Sequence, residues 1–330
     1  MKIENKLALT NALRNVTNKQ RICLFEDCEK QAINSHILQK NGILREMSIK
    51  NHLIQLERTN GFEIEEKGIQ KFTKVGINKA FAFLGFCPFH DVEVFKHIEN
   101  GVKLNLFEPK TQALFCYRGL CQEIRRKEEV LDHINELADF GNPQTHEIKR
   151  LLYDGTKEGI QNLNYYKKKF EDAFRSENYS EFTFLTQPIE RIDICFSVPL
   201  NIDKLPKREN GETFEAWKSK QPNPFKTSFL SLFPYKSKSF FIAGFLNEFQ
   251  CDWTINKINK IGKIKNKQVL KEISDFIILR LEFWAMSPKL YNTIPKSILS
   301  KYRQTFEENA FEHDPKLRTK INLFKNYTKI

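Results

Sequence analysis

Two short pairs of metal-binding side chains constrain this chain more than anything else in it: Cys23-x4-Cys28 and Cys87-x2-His90. Zinc takes four ligands in a tetrahedron, and one tight turn can supply two of them. Leu24-Phe25-Glu26-Asp27 is compatible with such a turn. Pro88 suits the first turn of a helix, from which Cys87 and His90 can face one ion. The set would be three thiolates and one imidazole, with a net charge of about −1 including the ion, offset by helical N–H groups at residues 87–90. The competing reading makes each cysteine a small buried hydrophobe. It suits the isolated Cys116, Cys121, Cys195 and Cys251, which lie in apolar patterns and are assigned to the core.

The rest of the chain leaves room for a sizeable core. It has 330 residues, 40% of them hydrophobic and 29 of them Phe, which argues against wholesale disorder. The formal charge of +12 favours a polyanionic partner, nucleic acid before an anionic membrane surface. Enrichment in Lys, Asn, Ile and Phe together also fits a purely compositional origin for part of that charge. Residues 1–22 lack the basic-then-apolar plan of a signal peptide, and no stretch approaches a membrane span. The expectation is a cytoplasmic protein whose seven cysteines are not a disulfide framework.

Periodicity predicts an α+β fold. A short helix is expected over 1–18, a strand over 52–57, and turns with short extended pieces around Gly61, Gly68 and Gly76. A helix follows the second metal pair, with Val94, Phe95 and Ile98 on one side. A long helix is expected over 109–138 and another over 157–176. Strands are expected within 181–200 and over 226–233 and 238–246, with a polar loop at 201–224. A helix is expected over 268–286, and a helical, then frayed, C-terminus over 296–330. The domain reading is a metal-clip module at 1–100 and an α+β domain at 101–330.

One knuckle pair, then a hairpin, then a pair at a helix start is the treble-clef plan. With Ser35-His36-Ile37-Leu38-Gln39-Lys40 between the pairs, residues 1–100 resemble the zinc-containing branch of the HNH (ββα-metal) endonucleases. That resemblance implies a structural zinc on Cys23, Cys28, Cys87 and His90. It implies His36 as general base, and Asp91 as ligand of a catalytic magnesium or manganese ion. Asn78, or else Asn41, takes the place of the family's middle asparagine. The chemistry is sound in itself: phosphodiester hydrolysis needs an activated water and a cation, which a neutral histidine and a carboxylate can serve. Ser35 stands where the family commonly has an acidic residue or histidine, and a serine is a poor metal ligand.

The resemblance implies a nuclease acting on nucleic acid, DNA before RNA, in the setting of phage or mobile-element defence. The alternative is a non-catalytic zinc-stapled protein that binds nucleic acid or docks an effector, with His36 as a core-capping or zinc-proximal histidine. Residues 101–330 carry no catalytic constellation and are assigned to targeting, regulation or oligomerisation, with a second copy or another protein as partner. His97 is read as an exposed side chain or a substitute metal ligand. Arg125-Arg126-Lys127 and Lys167-Lys168-Lys169 are read as solvated helix faces before phosphate tracks. The lysines across 257–271 are the best candidate for a phosphate-contacting surface. Arg280-Leu-Glu282-Phe-Trp-Ala-Met-Ser-Pro288 is read as a helix end of no assigned chemistry.

Overall fold

The computed structural model describes residues 16, 18–59, 69–99, 103–136, 143–201, 209–220, 223–310 and 318–327. The helix expected over 1–18, and Gly61 and Gly68, lie almost wholly outside these. The fold is mixed α and β, built on a seven-stranded antiparallel sheet. The chain divides into two compact units that interleave in sequence. The first takes residues 1–35, 83–96 and 120–178, and the second 36–82, 97–119 and 179–330. Residues 1–100 and 101–330 therefore each contribute to both.

The second unit holds the large sheet. Its strands are β2 (His52–Arg58), β3 (Gln70–Gly76), β5 (Phe182–Glu190), β6 (Ile194–Leu200), β7 (Ser228–Tyr235), β8 (Lys238–Leu246) and β9 (Ala285–Met286). They lie in the order β3-β2-β9-β6-β7-β8-β5. Alternation along β6, β7 and β8 sends Phe196, Leu230, Leu232, Phe241 and Ala243 to one face, the period-two consequence of the pleat. There they pack on Ile258 of one helix (Asp252–Ile261) and on Ile273, Phe276 and Ile277 of the next (Asn266–Arg280). Phe241 meets Phe276 edge-on, with ring centroids 5.4 Å apart.

The opposite face receives the first part of the long helix Pro109–Glu136. Phe115 packs on Phe233, centroids 4.5 Å apart, and Ser197 Oγ donates to the Phe115 carbonyl at 3.0 Å. The approach is close enough to require glycine. A Cβ on Gly119 would lie 2.8 Å from the backbone C and O of Ser197.

Several expectations shift. The helix expected over 268–286 stops at Arg280, because Ala285 and Met286 pair as a short strand with both β2 and β6. The strand is short enough that its apolar run reads equally well as helix. The helix expected from 157 begins at Pro143, whose ring suits a first helical position, and runs to Ser176 through Gly155 and Gly159. Among the described residues of 201–224, the expected loop contains a short helix, Phe214–Ser219. The turn region before the second metal pair supplies β3, a full strand of the large sheet.

The first unit contains the two metal pairs, the later part of the long helix and the helix Pro143–Ser176. A two-stranded sheet, β1 (Asn34–His36) with β4 (Ala82–Leu84), joins the chain before and after the long insertion. Among the described residues no helix is long and apolar enough to cross a membrane.

Candidate metal centre

Cys23 and Cys28 sit on a knuckle closed by its own backbone. The Cys23 amide donates to the Lys30 carbonyl at 2.8 Å, and the Ala32 amide donates to Arg21 at 2.8 Å. The Cys28 amide closes the turn on Phe25 at 3.2 Å. Asp27 takes a left-handed φ of 58°, a conformation Asp tolerates better than most residues. The knuckle is tied to the second pair by Leu24 N–H to Gly85 O at 2.9 Å and Ile33 N–H to Phe86 O at 2.8 Å. Cys87 then stands as N-cap of the helix Pro88–Glu93, with extended backbone, and His90 follows in its first turn.

The ligand atoms of Cys23, Cys28, Cys87 and His90 all lie within 4.8 Å of one another. The edges between them test the fit. Zinc bonds of about 2.3 Å to sulfur and about 2.0 Å to nitrogen imply tetrahedron edges of about 3.8 Å (S–S) and about 3.5 Å (S–N). Cys28 Sγ lies 3.8 Å from Cys87 Sγ, and His90 Nδ1 lies 3.4 Å from Cys23 Sγ and 3.5 Å from Cys87 Sγ. All three are free thiols, so the S–S edge is not a disulfide. The cluster has the size and donor set of a Cys3His zinc site.

The surroundings favour a neutral imidazole and a mixed thiol set. Burial, and then the nearby Lys30 cation, lower the pKa of His90, leaving a nitrogen lone pair for a metal at neutral pH. Burial pushes the Cys23 thiol up to about 12, so a cation must displace its proton. Burial also acts upward on Cys87. The His90 backbone amide, the Cys28 and Cys23 side chains and the Phe89 amide outweigh it, and bring Cys87 below the usual thiol range.

Residues around the ligands fix their positions. Phe25, inside the knuckle, stacks on the His90 ring with centroids 4.3 Å apart and planes 26° apart. The Arg175 guanidinium lies 5.7 Å from the Phe25 ring and pairs with Glu26 at 2.7 Å. Arg125 is buried and ties the two halves of the site together: Nε donates to Leu84 O at 2.6 Å and Nη2 to Ile22 O at 2.7 Å. The reading of Arg125-Arg126-Lys127 as a solvated face fails at Arg125. A single arginine in a basic run carries no sequence mark of burial, and the acid at i+3 that pairs with it, Glu128, is equally common on exposed helices. Phe25 was likewise visible only as a turn residue.

The remaining candidates are placed as follows. His36 ends β1 and belongs to the second unit; its Nε2 is 3.2 Å from the Ile77 carbonyl oxygen. Asn78 is exposed in the turn directly after Ile77. Asp91 belongs to the first unit, in the helix that carries His90, and its Oδ1 is buried without a hydrogen-bond partner. Ser35 is buried, and its Oγ accepts from the Phe86 amide at 3.2 Å, a structural role in place of a metal-binding one. His97 is partly exposed and pairs with Glu108 at 2.8 Å. Thr111 donates to the same carboxylate at 3.1 Å. The imidazole, then the Thr111 hydroxyl, hold the Glu108 carboxyl below the usual carboxylate range against the upward effect of burial.

The lysines of 257–271 largely fail as a phosphate surface. Lys257 is buried; it and Lys260 both pair with Glu272, and Lys271 pairs with Asp275. Lys263, Lys265 and Lys267 remain exposed at the turn between the two helices.

No protein-family model, no curated protein and no solved structure matches this chain.

Proposed function

We propose that the chain is a metal-dependent nuclease of HNH type, with a structural zinc held by Cys23, Cys28, Cys87 and His90. The observation that carries the reading is the setting of His36. A carbonyl oxygen only accepts, so the hydrogen bond to Ile77 O places the proton on Nε2. Nδ1 is then the basic nitrogen, the tautomer a general base needs to take a proton from an attacking water. Asn78 follows the residue that holds His36 and supplies an amide on the exposed turn. Asp91 offers a buried carboxylate oxygen with no hydrogen-bond partner, a hard donor suited to magnesium or manganese. Such an ion, when bound, supplies positive charge to the phosphate oxygens as the negative charge develops. The formal charge of +12 suits a nucleic-acid substrate, and the reading favours DNA over RNA. Defence against phage or mobile elements is the setting that the resemblance suggests.

Ser35 favours a second reading. Its hydroxyl is engaged by the Phe86 amide, where an active relative would present a metal-binding side chain. A zinc-stapled protein that binds nucleic acid without cutting it, through surfaces such as Lys263, Lys265 and Lys267, fits that substitution.

Plasmid DNA incubated with purified protein and magnesium or manganese separates the two. Cleavage that is lost in His36→Ala, with zinc content unchanged, is the expected outcome. Cleavage that survives His36→Ala removes the mechanism, and binding without cleavage under either ion supports the second reading.

A further inference from the structure

At the opposite end of the functional question lies a cavity of about 300 Å³ in the second unit, lined by Arg191, Asp193, Ser237, Lys289, Leu290 and Tyr327 among others. Nothing in the nuclease reading uses it. Its residues come from four places: the β5–β6 connection, the β7–β8 turn, the short helix Pro288–Thr293 and the C-terminal segment.

The cavity is built around one immobilised guanidinium. Arg191 Nε pairs with Asp193 Oδ1 at 3.0 Å, and Nη1 is shared between the Lys236 carbonyl and Glu46 at 3.3 Å. The Tyr327 hydroxyl donates to the Arg191 carbonyl at 2.8 Å, which pins the backbone as well. The Asp193 carbonyl in turn accepts from the Ser287 amide at 3.0 Å, fixing the start of the short helix that carries Lys289. A guanidinium held in this way by Nε and Nη1 keeps its remaining donors, those of Nη2, in place before any ligand arrives, which lowers the entropy lost on binding.

The charge of the lining is not balanced. Asp193, in the lining, and Glu46, outside it, both pair with Arg191. Lys289 is exposed at the cavity and has no acidic partner among the described residues. The Ser237 hydroxyl adds a neutral donor, and Leu290 and Tyr327 supply apolar wall. The Nη2 donors of Arg191, the Lys289 ammonium and the Ser237 hydroxyl line one space, a set of donors that suits a phosphate group. The volume suits more than phosphate alone: a water takes about 30 Å³ in the liquid, so the space equals roughly ten waters.

We propose that this cavity binds a small phosphomonoester, its phosphate held by Arg191, Lys289 and Ser237 and its compact organic body against Leu290 and Tyr327. The site gives the sheet unit a ligand of its own, separate from any nucleic-acid surface.

Calorimetric titration of the full chain tests it with four probes: phenyl phosphate, adenosine 5′-monophosphate, inorganic phosphate and adenosine. The two phosphomonoesters are expected to bind saturably, inorganic phosphate more weakly, and adenosine not at all. Lys289→Met is expected to weaken the phosphomonoesters about tenfold or more, while Lys263→Met, an exposed lysine elsewhere, leaves them unchanged. Arg191→Lys keeps the charge and removes the Nη2 donors, and is expected to weaken binding while circular dichroism stays that of the parent. Absence of binding by both phosphomonoesters at millimolar concentration overturns the proposal. So does binding that Lys289→Met leaves intact, or equal binding of adenosine. None of these outcomes depends on whether the chain cleaves DNA.

Discussion

Removing the metal should unfold the knuckle and leave the large sheet intact. The segment Arg21–Ala32 and its neighbour Ile33 are held by the amides of Cys23, Leu24, Cys28, Ala32 and Ile33, each donating to a backbone carbonyl. Five such bonds contribute net about 1 kcal/mol each, roughly 5 kcal/mol together. Ordering the twelve residues of Arg21–Ala32 costs about 1–2 kcal/mol per residue in backbone entropy, which exceeds that gain twofold or more. Apolar burial adds little, since Cys23 and Ala32 are the segment's buried hydrophobic residues. The ion pairs of Glu26 with Lys168 and Arg175 face solvent and are screened. A structural zinc, worth about 10–16 kcal/mol in small finger peptides, is of the size of that deficit. Hydrogen exchange read by mass spectrometry, with and without a chelator, is the assay. The five amides should exchange at least about 10³-fold faster in the metal-free protein, the equivalent of about 4 kcal/mol. The β7 and β8 amides should be unchanged. Unchanged exchange at the knuckle, in protein from which metal analysis shows the zinc gone, would refute the reasoning.

Three further outcomes follow from packing and charge. Gly119→Ala should destabilise by about 1–3 kcal/mol despite alanine's better helix propensity, because the new Cβ meets the Ser197 backbone. Gly155→Ala, with nothing within 4 Å, should stabilise by about 0.5–1 kcal/mol; denaturant melts giving both the same sign would contradict the close approach. Burial raises the pKa of Glu272, but Lys257 and Lys260 together hold it below the usual range, so its stabilisation is complete above about pH 4.3 and is lost as pH falls further. Glu272→Gln should cost about 3 kcal/mol at neutral pH by leaving Lys257 buried and unpaired, and should flatten that acid limb; a parent-like acid limb in the variant would refute the assignment. Arg280 has Nε and Nη2 buried without hydrogen-bond partners, and burial alone lowers its pKa. Arg280→Met should therefore leave the melting temperature unchanged or raise it, and a fall of more than about 2 °C would indicate an anion partner.

The Cys3His cluster was legible because metal chemistry restricts ligands to a few residue types at short spacings, and Cys23-x4-Cys28 with Cys87-x2-His90 satisfies both. The strand 238–246 and the helix 109–136 were legible for a similar reason. The strand 238–246 shows as a short continuous apolar run, buried along most of its length, and the helix 109–136 as a long apolar stripe opened by a proline. Arg125 and the Lys257–Glu272–Lys260 cluster were not, since a buried and a solvated cation look alike until the acid or carbonyl that holds them is in place.

By itself the sequence determined local matters: which residues can ligate a metal, where Pro88 and Pro109 open helices, and which apolar or alternating runs form strands. Only the tertiary structure decided that β2 and β3, inserted between the two metal pairs, complete the large sheet, and that a two-residue strand at Ala285–Met286 joins them to β6. It also decided that the four metal-binding atoms close to tetrahedral edges across 67 residues of chain. The reason is physical. Spacing and periodicity report interactions within a turn or two, whereas strand pairing and ligand closure depend on where distant segments are brought by the burial of their apolar faces.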